Sequence, residues 1–265
     1  MFKEKLKELA NDPNFIPGIY NYCDRWCERC PLTSRCSVFA LEKEDLEDPE
    51  MRDIQNEKFW KKMGEMFQAT RELVEEMAKR MGIDLDSLDL EAGIEEERLK
   101  DEIAQNHECS RAAKIYIQRV NTWFDSVTDL FKEKEDELSS QVQMDIPTVN
   151  PLGEAFSLKD AVEVIRWYQH QIYVKMMRAI RGKMDDEDES FDEYPKDSDG
   201  SAKVALIGMD RSISAWGELL KQFPQQEDPI LDILLHLDRQ RRKAEKEFPE
   251  ARAFVRPGFD DSKGG

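Results

Sequence analysis

Histidine, glycine and proline are scarce in this chain, and long hydrophobic runs are missing altogether. Three histidines in 265 residues leave little material for a histidine-built metal centre. Twelve glycines and eleven prolines are too few for the turns of a many-stranded sheet, so long amphipathic helices are expected. No run of about 18 apolar residues occurs, which predicts no bilayer-spanning segment. The opening MFKEKLKELANDP is amphipathic and charged, without a continuous apolar stretch, and predicts no secretory leader. A phosphate-cradling glycine loop, a Gly-x-Ser-x-Gly elbow and a dinucleotide fingerprint are also lacking, and with them the reactions they announce.

Positive charge is in deficit. Against 57 acidic residues stand 39 basic ones, a formal net charge of −18. Such a surface repels phosphate backbones and anionic lipids, so nucleic acid and membrane are disfavoured as partners, and a protein partner is the candidate that remains. Arg239, Arg241, Arg242 and Lys243 form a local basic stretch that reads as a solvated, salt-bridged helix face. The sequence gives no indication of oligomeric state. Five cysteines, four of them crowded together, do not resemble a disulfide framework spread over a secreted domain, and the reducing cytoplasm is the expected setting.

What is present is helical punctuation. The expected fold class is all-α: a bundle of about five long helices with an irregular N-terminal Cys-rich metal-binding loop. Residues 1–47 are read as a short helix (about 2–11), the cysteine loop, and a second helix over about 33–44. Residues 48–250 are read as the bundle, and 251–265 as a C-terminal tail. Asp48-Pro49 opens a helix to about Met81, with Gly82 behind it and an apolar stripe of Ile54, Met63, Met66, Phe67, Leu73, Val74, Met77 and Met81. A single helix over roughly 94–138 is expected to bury Cys109, Tyr116, Val120, Trp123 and Phe124. Further helices are expected from Ser157 to Gly182, where Ser157 and Asp160 resemble a capping box, then over about 201–222, and from Asp228-Pro229 to Glu247. Between them, 185–199 carries nine acidic residues in fifteen and reads as a disordered loop.

The chemistry is concentrated at Cys23, Cys27, Cys30 and Cys36, spaced Cys-x3-Cys-x2-Cys-x5-Cys. Four thiolates in one short loop can converge on a single centre unaided, and Arg25, Arg29 and Arg35 between them favour the thiolate forms. Four-cysteine zinc sites usually come as two Cys-x2-Cys knuckles, and only one is present here. A [4Fe–4S] cluster tolerates unequal spacings and a proline after a ligand, as at Pro31. The string from Cys27 to Cys36, with Cys30-Pro31-Leu32 at its middle, resembles the end of the iron–sulfur loop in helix-hairpin-helix DNA glycosylases. That resemblance covers about fourteen residues, departs at the first gap, and implies a cluster type and nothing about DNA. The cofactor expectation is therefore a [4Fe–4S] cluster ahead of zinc, with both open.

The histidines are the other candidates for a site. A carboxylate di-metal centre needs Glu-x-x-His pairs, and none exists. Helical geometry turns His107 and His236 away from their apolar stripes and predicts both to be solvated. His170 lies on a helix that is apolar nearly all round, with Glu163 and Arg166 as its polar neighbours. The trio reads first as a satisfied core network and second as a small-molecule site. Cys109 reads as a small buried hydrophobe. The functional expectation is a structural metal site on an interaction or scaffold bundle. Its alternatives are a redox or electron-transfer protein, or a small-molecule enzyme using the cluster or a Glu163/His170 site.

Overall fold

Capping side chains mark where several of the helices begin. The computed structural model describes residues 2–144, 149–188 and 196–260, and among these there are ten α-helices and no strand. The all-α expectation holds. The chain divides into two compact units, Met1–Glu97 with Val255–Gly265, and Arg98–Phe254.

In the first unit, α1 (Phe2–Asn11) is followed by three 3-10 turns at Ile19–Asn21, Cys27–Arg29 and Thr33–Arg35, then α2 (Ser37–Glu47). Asp48 accepts the Glu50 N–H at 3.0 Å, with Pro49 in the first turn, as the sequence predicts. The helix it opens, α3 (Pro49–Arg52), lasts only one turn, because Asp53 is extended. Asn56 then caps α4 (Glu57–Met81), accepting the Lys58 N–H at 2.9 Å. Gly82 ends α4 in the left-handed region (φ 71°), and Ile83 donates back to the Ala78 carbonyl at 2.9 Å.

α1 docks on α4 through charge. Lys3 Nζ lies 2.5 Å from Glu76 and 3.3 Å from Glu72, and Lys7 Nζ lies 2.9 Å from Glu76. These ammonium donors hold the Glu76 carboxyl down at about 2. The expected apolar stripe of α4 is not a core stripe. Only Ala69 and Ala78 are buried on this helix, while Phe67, Val74, Met77 and Met81 are exposed, Phe67 at 68%. Helical periodicity identifies an apolar face, but not whether the chain itself covers that face.

The single helix expected over 94–138 is three: α5 (Leu90–Asn106), α6 (Glu108–Ser126) and α7 (Thr128–Met144). His107 makes the first break as the N-cap of α6, its Nδ1 accepting the Cys109 N–H at 3.3 Å, and Val127 makes the second. With these two breaks the five long helices become seven. α8 (Pro151–Asp188) starts a turn and a half before Ser157, because Asn150 accepts the Gly153 N–H at 3.0 Å with Pro151 behind it. α9 (Asp197–Gln222) and α10 (Glu227–Glu247) complete the unit. The acidic stretch 185–199 is helical through 188 and again from 197, and its middle lies outside the described residues.

The core of this second unit is the α8–α9 hairpin with α6 and α10 packed on it. α8 contributes Ile165, Tyr168, Ile172, Met176 and Ala179, all fully buried. Gly208 lets α9 approach closely, since a Cβ there would sit 2.9 Å from the Tyr168 ring and 3.1 Å from Ile172. Trp216 donates to the Tyr116 hydroxyl at 3.1 Å in full burial, and burial holds that phenol at about 12. Trp123 meets Trp216 edge-on at 4.9 Å. The basic stretch of α10 is salt-bridged as expected: Arg241 to Asp238 and Asp210, Arg242 to Asp238, and Lys243 to Glu108. Among the described residues, no helix is long and apolar enough to cross a membrane.

Candidate metal centre

The cysteine loop is built from tight turns, each of which delivers a cysteine at its end. Cys27 opens the turn Cys27–Arg29, and Cys30 closes it by donating its N–H to the Cys27 carbonyl at 3.2 Å. Cys36 closes the turn Thr33–Arg35 in the same way, donating to Thr33 at 3.2 Å, and it leads into α2. Between Cys23 and Cys27 the chain reverses at Arg25, whose φ of 59° is left-handed although it is not glycine. Asp24 accepts the Trp26 N–H at 3.2 Å across that reversal. The loop is pinned to the preceding segment because Ile16 donates to the Arg35 carbonyl at 3.0 Å.

These turns bring Cys23, Cys27, Cys30 and Cys36 to the wall of one cavity of about 20 Å³. The rest of the wall is mainly apolar: Ile19, Tyr20, Trp26, Phe39 and Phe259. Ile19 and Trp26 are buried, whereas the four cysteines are half-buried. Cys30 Sγ accepts the Leu32 N–H at 3.4 Å, and Cys23 Sγ donates to the Tyr20 carbonyl at 3.5 Å. Among the described residues, no group of three or more histidine, cysteine, aspartate or glutamate side chains is arranged to hold a metal ion.

The three arginines between the cysteines differ in what they reach. The Arg29 guanidinium lies over the Trp26 ring at 4.0 Å, and Arg35 Nε donates to the Asn14 carbonyl at 3.4 Å. Arg25 opposes the rise of the Cys27 thiol. Burial, and then the neighbouring Cys23, Cys36 and Cys30, push that thiol up.

Phe259 was not visible as a site residue from the sequence, where 251–265 reads as a tail. In the structure Gly258 turns at φ 75°, close enough that a Cβ would lie 2.6 Å from Ile16 and 3.3 Å from Ile19. Arg256 clamps the turn through Asp260, at 3.0 Å and 3.1 Å. Before the turn, Ala251 and Phe254 are buried in the second unit. A glycine flanked by Pro257 and Phe259 was the only available signal, and it does not name a partner more than 200 residues upstream.

The second expected site is spread out. Glu163 reaches Lys159 at 3.8 Å, and Arg166 donates to Asn121 at 2.8 Å while stacking on Phe124 at 4.1 Å. His170, expected in the core, is exposed and meets Gln169 at 3.1 Å. Glu163 and Arg166 do share a groove of about 720 Å³ with Phe124, Phe131, Leu138 and Leu158. The two histidines expected in solvent are engaged. His107 is the α6 cap, and His236 Nε2 lies 2.8 Å from the Ala112 carbonyl, where burial lowers its pKa. Cys109 is the buried hydrophobe expected, its thiol raised to about 11 by burial. No family model matches this chain, and no curated protein or solved structure is similar to it.

Proposed function

We propose that this chain is a scaffold or interaction protein whose N-terminal unit is organised by a metal centre on Cys23, Cys27, Cys30 and Cys36. The supporting observation is that four cysteines, placed by successive tight turns, line one mainly apolar cavity. A closed four-thiolate set has no open position for substrate, so its role is to tie the proline-bearing segment 11–36 to the helices around it.

The interaction half of the reading draws on α4. Trp60, Phe67, Val74 and Met81 are all exposed and recur at steps of seven residues. A seam of that period fits one kind of occupant, a second amphipathic helix with its own heptad of apolar residues.

The experiment has two readouts on the full chain. Purified protein should retain metal through dialysis, and the variant with all four cysteines changed to Ser should not. A metal-free wild-type chain whose four thiols titrate at native rates would remove the reading. A designed helix with Leu at its a and d positions should bind the wild type and lose binding to Trp60→Lys/Phe67→Lys. Equal binding to both would remove the α4 face.

A redox role is the second reading. It is favoured by the Leu32 N–H on Cys30 Sγ and by the half-exposure of all four cysteines. Hydrogen bonds to sulfur and solvent access are the protein's levers on a cluster potential. An acid–base enzyme built on Glu163 and His170 has the least support, given their separate partners.

A further inference from the structure

We infer that α4 pairs with α4 of a second copy of this chain, antiparallel and centred at the level of Ala69. The inference rests on reading the α4 face as a helix-docking surface and names the helix that occupies it. With Trp60, Phe67, Val74 and Met81 at the d positions of a heptad, Gly64 and Arg71 fall at a, Lys61, Gln68 and Glu75 at e, and Met63, Thr70 and Met77 at g. α1 docks on the far side of the helix, at Glu72 and Glu76, and leaves this face open.

The face is complementary to its own reversal. α4 spans Glu57–Met81, with Ala69 twelve residues from either end. Turned about that level, each a position of one helix comes level with a d position of the other. Val74 then lies over Gly64, and Phe67 over the Arg71 guanidinium, a cation–π pairing. Beside them Lys61 meets Glu75 of the second copy and Gln68 meets Gln68, while on the other flank Met63 meets Met77. A parallel pair would instead set Arg71 against Arg71 and hold Lys61 and Glu75 several turns apart. The chain as a whole repels a copy of itself through its net charge of −18. Between Trp60 and Met81, however, the charged residues at a, d, e and g are only Lys61, Arg71 and Glu75.

Two features of the single chain are explained by this partner. Glycine inside a helix is destabilising relative to alanine, and nothing in the chain itself calls for one at Gly64, where a Cβ would meet nothing within 4 Å. Val74 of the second copy needs that space. The Trp60 ring is exposed, yet its Nε1 donates to the Ile54 carbonyl at 2.8 Å and fixes it. A side chain already held in place has little freedom left to lose on docking.

The test is sedimentation equilibrium of the full chain over a range of concentrations, where wild type should approach twice its 31.0 kDa mass. Lys61→Glu and Glu75→Lys each turn two attractive contacts into repulsive ones, and each should raise the dimer dissociation constant roughly tenfold. An equimolar mixture of the two variants should recover pairing of wild-type strength, because every contact then joins opposite charges. Gly64→Leu, in open space within the single chain, should leave the helical circular dichroism unchanged and abolish pairing. A chain that is monomeric at every concentration but still binds the designed helix overturns this inference and leaves the α4 face standing. One that binds neither overturns both. A dimer that resists both charge variants, or whose mixture stays weak, overturns the antiparallel pairing.

Discussion

Gly258 concentrates in one residue what the cysteine spacing alone does not reveal. Its backbone is left-handed at φ 75°, and an added Cβ would meet Ile16 at 2.6 Å. Alanine there incurs the left-handed penalty of about 1–2 kcal/mol and, on top of it, overpacking of about 1–3 kcal/mol. Both act on the turn that carries Phe259 to the cavity wall. If the four cysteines hold a metal as proposed, Gly258→Ala should therefore release it to a chelator at least tenfold faster than wild type, followed by the colour of the chelator complex. Unchanged release would mean that Phe259 does not seal the centre. At this scale the cysteines were legible and the wall around them was not. Cysteines announce themselves by type and crowding. The wall residues Ile19, Phe39 and Phe259 are ordinary apolar side chains whose role exists only once the fold assembles them. Arg25 shows the same limit, since nothing about an arginine in sequence marks a positive φ.

Helix identity was legible at the scale of elements, and helix ends were legible only where a cap has a strong signature. Asp48-Pro49 capped as expected, and Asn150-Pro151 carried the same signal for the start of α8. His107 is a weak cap by residue type, so the break between α5 and α6 left no mark in a continuous apolar pattern. The docking of α1 on α4 was equally hidden, because it is made by lysine and glutamate about 70 residues apart. It has a pH consequence. The Glu76 carboxyl, ordinarily near 4.5, is held at about 2 in the fold by Lys3 and Lys7. A lowered carboxylate contributes stability that is fully present above its unfolded value and is lost as pH falls toward its folded one. Docking of α1 should thus weaken between about pH 4.5 and 2, seen as faster amide exchange over Phe2–Asn11. Glu76→Gln should show the faster exchange already at pH 7, with little further change on acidification. An acid response in that variant equal to wild type would place the linkage on other groups.

The two units differ in how much apolar burial supports them, and the molecule as a whole should respond to metal loss accordingly. Among the described residues of the first unit the buried hydrophobic ones are Ile19, Trp26, Ala69 and Ala78, and two of these four stand on the wall of the cysteine cavity. In the second they include Trp216, Tyr116, Tyr168, Ile165, Ile172, Met176, Leu206, Met209, Leu219, Ile230 and Leu237, all essentially inaccessible. A unit with so small a core falls short of the conformational entropy lost on ordering, which for backbone alone is about 1–2 kcal/mol per residue. In the proposed reading metal ligation would supply the difference, because a site absent from the unfolded chain turns binding energy into folding energy. Chelation should then unfold the first unit and spare the second. Calorimetry of the metal-loaded chain should show two transitions, of which removing the metal abolishes the one belonging to residues 2–97. Limited proteolysis of the stripped protein should cut within that range and leave a resistant fragment near 98–254, with the Trp123–Trp216 environment unchanged by near-UV circular dichroism. If both transitions survive stripping unshifted, the first unit stands on its own contacts and the cysteine centre contributes nothing to its folding.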